Sequence, residues 1–224
     1  MSGTLYIVAT PIGNLEDITF RAVRILKEVD LVACEDTRHT VKLLNHLQIK
    51  KQLWSYFEHN EMTRIPQILG EIEKGKSVAL VSDAGTPGIS DPGFPLIREA
   101  VARGIRIVSI PGPSAVIASL SASGLPTDSF LFVGFLPQKA GRRKTLLESL
   151  KDEEATLVFY ESPYRIVKTL EEALSIFSER PACLARELSK IHEEFVRGTV
   201  RELCSAVRED PPKGEMVLLI AGKR

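Results

Sequence analysis

The chain has few cysteines, little aromatic surface and no excess of charge of either sign. Its 224 residues include three cysteines and one tryptophan, and 29 lysines and arginines balance 29 aspartates and glutamates. The scattered cysteines form no CxxC pair, which argues against a zinc site or a disulfide framework and favours a reducing, cytoplasmic compartment. Because the charges balance, any affinity for nucleic acid must come from local patches.

Two nucleotide-binding motifs and all long apolar runs are also missing. The sequence contains neither GxxxxGK[ST] nor GxGxxG, which argues against a nucleoside triphosphate and against a nicotinamide dinucleotide as the ligand. No window approaches the length that spans a bilayer, and the N-terminus has no basic region followed by an apolar run, so we expect no membrane segment. The four histidines show no metal-ligand spacing, and we assign no metal.

What the chain does contain is an alternation of apolar, β-prone runs with longer amphipathic stretches. In the first half the predicted strands cover residues 5–9, 31–34, 78–82 and 105–110. Their apolar runs are continuous rather than alternating, as in parallel strands that are buried on both faces. The sequence therefore predicts an α/β fold with a parallel sheet in this half.

The second half predicts a further α/β arrangement. The predicted strands cover residues 130–135, 156–160, 182–186, 194–199 and 216–221, and the predicted helices cover residues 142–150, 164–178 and 200–208. A segment rich in helix breakers at residues 124–128 separates the halves. We therefore expect two domains, residues 1–120 and residues 121–224.

Three predicted strands of the first half end in loops of glycine, proline and small hydroxyl residues, at residues 9–14, 82–87 and 110–115. The second of these loops continues to residue 93 and is the most informative segment of the chain. Because parallel strands point their carboxyl ends the same way, we expect the three loops to cluster at one sheet edge, where open α/β sheets bind ligands. Gly85, Gly88 and Gly93 can adopt positive φ or allow close approach of the backbone.

Seven segments in this order carry a resemblance to a known family: YIVATPIGNLEDITFRA, EDTRHT, LVSDAGTPGISDPG, IPGPSA, FYESPYR, ARELSKIHEEFVRGT and KGEMVLLIAG. The chain resembles the bacterial enzymes that methylate a cytidine ribose 2′-hydroxyl of small-subunit ribosomal RNA, in the tetrapyrrole methylase superfamily. This resemblance implies two α/β domains, the N-terminal sheet mostly parallel and the C-terminal sheet mixed. It also implies S-adenosylmethionine bound between the domains, and a homodimer.

The resemblance also implies which residues bind the cofactor. Asp83 is the one residue of Ser82-Asp83-Ala84 that keeps its identity in the superfamily's Gly-Asp-Pro motif. The first loop has proline and asparagine where porphyrin-modifying relatives have glycine, which weakens a tetrapyrrole substrate. The implied cofactor-binding residues are Pro11, Ile12, Asp83, Thr86, Ser114, Ala115, Phe159, Tyr160, Leu184 and Met216.

Methyl transfer is a direct displacement, so most of the rate should come from positioning the acceptor oxygen. A general base would add to that rate. The candidates for this base at the loop edges are Glu161, Glu187 and Asp36, with Glu161 ranked first. Arg186 is a further catalytic candidate, which could pair with an RNA phosphate or with a neighbouring carboxylate.

The densest basic cluster, Lys139, Arg142, Arg143 and Lys144, is the best candidate for RNA contact. Three alternatives remain open at the level of sequence. The first is a methyltransferase of the same type that acts on a porphyrinoid or a protein. The second is a nicotinamide-dependent oxidoreductase, for which the glycine fingerprint is missing. The third is a non-catalytic RNA-binding module, which would need a more basic chain and more stacking aromatics.

Overall fold

A computed structural model describes residues 3–223 of the chain. Two compact units divide between Ser114 and Ala115. The division lies a few residues before the boundary at residue 120 expected from the sequence. The reason is that the helix Ala115–Ser123 packs against strands of the second unit.

The first unit alternates strands and helices along the chain. Its strands are β1 (Thr4–Val8), β2 (Leu31–Cys34), β3 (Gln52–Ser55), β4 (Val78–Val81) and β5 (Arg106–Ile110). Its helices are α1 (Phe20–Glu28), α2 (Thr37–His46), α3 (Glu61–Glu73) and α4 (Phe94–Ala102), with a 3₁₀ helix at Leu15–Asp17.

The five strands form one parallel sheet in the order β3-β2-β4-β1-β5. Alternate side chains of each central strand enter two different cores. In β4, Leu80 packs on the face covered by α3 and α4, whereas Ala79 and Val81 pack on the face covered by α1 and α2. This double burial confirms the parallel sheet predicted from the continuous apolar runs.

Strand β3 is the one strand of this unit that the sequence did not predict. It lies at the edge of the sheet and pairs with β2 alone. Its side chains are half-buried or exposed, and Trp54 lies beneath the guanidinium of Arg64, 5.6 Å from the ring centroid. An edge strand of four residues with polar ends lacks the apolar run on which the prediction depended.

The second unit contains the remaining elements. Its strands are β6 (Phe130–Phe135), β7 (Thr156–Glu161), β8 (Pro181–Arg186), β9 (Glu194–Thr199) and β10 (Met216–Ile220). Its helices are α5 (Ala115–Ser123), α6 (Ala140–Ser149), α7 (Ile166–Phe177) and α8 (Val200–Glu209). Every strand predicted from the sequence in either unit is present, and its bounds differ from the prediction by about one residue.

The sheet of the second unit has the order β6-β7-β10-β8-β9 and is mixed, because β6 and β7 are parallel and the other pairs are antiparallel. Helices α6, α7 and α8 cover one apolar core on this sheet. A reciprocal pair of hydrogen bonds between Thr199 and Glu202 caps the start of α8. The α/β class and the mixed second sheet are both as expected.

Within residues 3–223, no helix is long and apolar enough to cross a membrane.

Candidate functional site

The three loops that end β1, β4 and β5 meet at the carboxyl edge of the first sheet. Because β1 lies between β4 and β5, its loop touches both of the others. Thr10 and Gly85 exchange backbone hydrogen bonds of 2.9 and 3.0 Å, and the Thr10 hydroxyl donates to the Ser82 carbonyl at 3.1 Å. The Thr86 hydroxyl donates to the carbonyl of Pro113 at 3.3 Å. The predicted clustering of the loops is therefore confirmed.

Gly85 lies where the three loops come closest. Its φ of +82° is a conformation that a residue with a side chain rarely adopts. An added Cβ would lie 3.5 Å from Ile12 Cγ2 and 3.8 Å from the Pro113 carbonyl oxygen, which are ordinary contacts. The backbone conformation, rather than a lack of space, therefore requires glycine here. Gly88 and Gly93 also have positive φ, as the sequence predicted.

Four carboxylates gather where β2 and β4 end: Glu35, Asp36, Asp83 and Asp91. The backbone N–H of Asp36 donates to Asp83 Oδ1 at 3.1 Å, which ties the end of β2 to the loop after β4. Asp36 also caps α2, where its side chain accepts from the Arg38 N–H at 2.8 Å and pairs with the Arg38 guanidinium at 2.7 Å. This edge of the sheet is therefore acidic.

Three of these carboxylates, Glu35, Asp36 and Asp91, differ in pKa. The Arg38 guanidinium and backbone hold the pKa of Asp36 at about 2, which makes it a weak base. Burial, opposed by the Ser82 hydroxyl and assisted by the nearby charge of Asp83, raises the pKa of Asp91 to about 6. Burial, followed by the charges of Asp83 and Asp91, also raises the pKa of Glu35.

Asp91 was not among the site residues predicted from the sequence. It follows Ser90, whose φ of +62° is unusual for a residue with a side chain. The residues Ser90-Asp91-Pro92-Gly93 do predict a turn at this position. Turn chemistry alone, however, gives no reason to expect that the carboxylate is half-buried beside other carboxylates.

A cavity of about 230 Å³ opens beside the first and second loops. Two of the predicted cofactor-binding residues, Pro11 and Asp83, line it. Its remaining lining residues are Thr10, Leu15, His39, Thr40, Lys42, Leu43 and Ser82. The first unit therefore brings Pro11, Ile12, Asp83 and Thr86 close together, and the third loop ends at Ser114, immediately before α5 begins at Ala115.

The cofactor-binding residues predicted in the second unit lie on three neighbouring strands. Phe159, Leu184 and Met216 are 0%, 1% and 4% exposed, and their side chains belong to the core beneath the helices. Tyr160 alternates to the other face of β7, where its ring makes edge contacts with Phe132 and Phe135 at centroid distances of 5.0 and 5.4 Å. A cofactor role for the three core residues would have to run through their backbone atoms.

Glu161, the first-ranked base, is 3% exposed and fully engaged within the second unit. Its Oε2 accepts from the Thr169 hydroxyl at 2.6 Å. Its Oε1 accepts from the Ser162 N–H at 2.8 Å and pairs with Arg165 at 2.7 Å. This arrangement fixes the end of β7 against α7, and its geometry is that of a structural ion pair.

Glu187 and Arg186 also have structural partners. Glu187 accepts from the Lys190 ammonium and from the Glu215 N–H, each at 2.9 Å, and these bonds lower the pKa of its carboxyl. Arg186 pairs with Glu194, its neighbour across β8 and β9, at 2.6 Å. The sequence suggested either an RNA phosphate or a neighbouring carboxylate as the partner of Arg186, and the structure shows the carboxylate.

The basic cluster at the start of α6 is not a single surface, which corrects the sequence analysis. Arg143 is 4% exposed, and its guanidinium forms two hydrogen bonds of 2.7 Å to Glu172 on α7. It also donates to the carbonyls of Pro137 and Gln138. Lys139 and Arg142 are exposed, so only part of the cluster can meet RNA. Sequence spacing on α6 could not show that the acidic partner comes from another helix.

Within the part of the chain that the structure describes, no three His, Cys, Asp or Glu side chains are arranged to hold a metal ion.

Comparison with known proteins shows which family the chain belongs to. Residues 4–204 match the family model described as Tetrapyrrole (Corrin/Porphyrin) Methylases. The chain is 52% identical over 220 residues to a protein of Halalkalibacterium halodurans named ribosomal RNA small subunit methyltransferase I, covering 98% of this chain and 76% of that protein. It is 49% identical to the protein of the same name from Thermotoga maritima, covering 99% of each.

Among solved structures, the uroporphyrin-III C-methyltransferase of Thermus thermophilus complexed with S-adenosylhomocysteine has a TM-score of 0.64 at 20% identity, covering 98% of this chain and 97% of that chain. This likeness shows the fold. The family model and the relatives near 50% identity show family membership as well. The chain therefore belongs to the tetrapyrrole methylase family and, within it, to the ribosomal RNA small subunit methyltransferase I group.

Proposed function

We propose that the protein transfers a methyl group from S-adenosylmethionine to the 2′-hydroxyl of a cytidine ribose in small-subunit ribosomal RNA. The observation that carries this proposal is identity near 50%, over almost the whole chain, to proteins named ribosomal RNA small subunit methyltransferase I. The hydrogen-bonded loop cluster at the carboxyl edge of the parallel sheet supports it, since such edges bind ligands in α/β proteins.

The residues at this edge fit the proposed cofactor. S-adenosylmethionine carries a cationic ammonium and a cationic sulfonium, and its electrophilic methyl group is what it supplies when bound. The carboxylates of Glu35, Asp83 and Asp91 give the edge a negative potential that favours such cations. We assign the contacts of the first unit to Pro11, Ile12, Asp83, Thr86 and Ser114.

The first-unit residues act by positioning. The bonds between Thr10 and Gly85 and between Thr86 and Pro113 fix the loops before any ligand arrives, so backbone groups are held in one geometry. Holding two reactants in line supplies a large part of the rate of a displacement reaction. The N–H of Asp36 donates a hydrogen bond to Asp83 Oδ1 and so orients this carboxylate. Glu161, Glu187 and Arg186 are assigned to structure rather than to proton transfer.

The test is transfer of a labelled methyl group from S-adenosylmethionine to three acceptors: assembled small subunits, naked small-subunit RNA and a porphyrinoid. We expect label in the RNA, at a cytidine ribose 2′-oxygen when the modified nucleotide is mapped. Labelling of the porphyrinoid or of ribosomal protein, with none in the RNA, would overturn the proposal and favour the alternative acceptors. Mapping the same nucleotide in cells that lack the protein, with and without its restoration, provides the control.

We also propose that the protein is a homodimer and acts in the cytoplasm. The family resemblance supports the dimer, and the ribosomal substrate supports the compartment.

A further inference from the structure

The cavity beside the first two loops has two chemically different parts. Its apolar wall is formed by Pro11, Leu15 and Leu43, while Asp83 places a carboxylate at the carboxyl end of β4. Three buried hydroxyl residues also line it, Thr10, Thr40 and Ser82, each less than 5% exposed. A site of this kind can hold a flat apolar ring and hydrogen-bond to a polar edge.

The size of the cavity limits which ligands can bind in it. At about 230 Å³ it is smaller than the pockets of roughly 300–1,000 Å³ that enclose drug-sized molecules. One sugar or one base fits such a volume, whereas a tetrapyrrole macrocycle does not. The cavity therefore favours the sugar or the base of one nucleotide over a porphyrinoid.

Helix α2 gives the cavity one cationic group, the Lys42 ammonium. His39 and Lys42 line it, and within residues 3–223 neither side chain has an ion-pair partner. Their neighbour Arg38 differs, because Asp36 holds its guanidinium at 2.7 Å. The unpaired ammonium of Lys42 is thus available to an anion, whereas the carboxylate of Asp83 in the same cavity repels one.

We propose that this cavity is the acceptor subsite, which takes the ribose of one nucleotide of single-stranded RNA toward Asp83, with the phosphate of that nucleotide toward Lys42. This inference rests on the proposed function. Asp83 belongs both to the cofactor-binding loop and to the cavity wall, so a ribose bound here lies next to the methyl donor. Lys42 is a positioning residue, because it holds the phosphate and does not touch the reacting atoms.

The test is steady-state methylation of small-subunit RNA by Lys42→Ala, with Lys27→Ala on α1 as the matched control and Lys42→Arg as the rescue. For Lys42→Ala we expect KM for RNA to rise about tenfold, as for the loss of one hydrogen bond to a charged group. The dependence of log affinity on log salt should become shallower by about 0.7, the value for one phosphate of a single strand. The kcat and the affinity for S-adenosylmethionine should stay unchanged. Lys42→Arg should bring KM most of the way back to the wild-type value.

A second variant, Leu15→Trp, fills the mouth of the cavity from a residue that is already 41% exposed. We expect it to reduce RNA turnover while calorimetry finds the cofactor affinity unchanged. A wild-type protein that methylates RNA, combined with an unchanged KM and salt slope in Lys42→Ala, overturns the subsite and leaves the function standing. Weaker cofactor binding in Lys42→Ala would show that the cavity belongs to the cofactor. A wild-type protein that leaves RNA unlabelled refutes the function itself.

Discussion

Asp83 is a predicted cofactor contact that lies within the loop cluster. The resemblance singled it out, and the structure shows its Oδ1 accepting from the Asp36 N–H while the carboxylate lines a cavity. We predict that Asp83→Asn weakens S-adenosylmethionine binding and leaves the fold intact, because the amide oxygen can still accept from Asp36 whereas the negative charge is lost.

Calorimetric titration checks this prediction, and a rise in Kd of about tenfold would match the loss of one charged contact. Asp210→Asn, at the exposed end of α8, is the control and should bind as the wild type does. Wild-type affinity in Asp83→Asn would remove the carboxylate from the cofactor site.

Asp91 predicts a dependence of stability on pH. Its folded pKa of about 6 lies above the ordinary value of 3.8, so the folded state binds more protons than the unfolded chain between these values. The carboxyl therefore costs the fold nothing below about pH 4 and destabilises it as the pH rises through 6. Asp91→Asn should accordingly be more stable than the wild type at pH 7.5.

Because the Asp91 carboxyl is only half-buried, solvent screening reduces this gain to about 1 kcal/mol. Urea unfolding at pH 7.5 and at pH 4 measures it, and the difference between the two proteins should vanish at the lower pH. An equal difference at both values would mean that packing, rather than charge, distinguishes the variant.

At the scale of elements, the pairing of α6 with α7 yields a prediction opposite to that of the sequence alone. From the basic cluster we expected Arg143 to contact RNA, but it is buried in a bidentate pair with Glu172. Arg143→Ala leaves this carboxylate and two carbonyls without their donor. We expect a loss of about 2 kcal/mol in the free energy of unfolding, below the range for a fully buried pair because Glu172 keeps some exposure.

Arg142→Ala, one position earlier on the exposed side of α6, should change the stability little. Thermal or urea unfolding separates the two variants. Were Arg143→Ala as stable as Arg142→Ala, with a shallower salt dependence of RNA binding, the surface role first predicted for Arg143 would be restored.

The strands and helices were largely predictable from the sequence, because the burial of the strands leaves a pattern in their residues. Strands such as β2 and β4 are buried on both faces, so their sequences are continuous apolar runs with few other interpretations. Strand β3 was missed because its pairing with β2, rather than its own composition, makes it a strand. The partner of Arg143 was missed for a related reason, since Glu172 lies on another helix, 29 residues further along the chain, and such an ion pair leaves no local pattern.

At the scale of the whole molecule, the chain is neutral and its proposed dimer needs apolar surface that is not used within one copy. Several large apolar side chains are exposed, including Phe20 and Ile191 at 97% and 98%. We predict that sedimentation equilibrium gives twice the mass of one chain. A single-chain mass at micromolar concentration would contradict the dimer.

The reciprocal backbone bonds between Thr10 and Gly85 have a thermodynamic consequence for the whole protein. Since folding already fixes these two loops against each other, their conformational entropy is lost before a ligand arrives rather than on binding. A ligand that enters between them meets a preorganised surface, and its affinity carries little penalty for ordering the loops. Loosening this one bridge would make the same contacts bind more weakly, with an unfavourable entropy as the calorimetric sign.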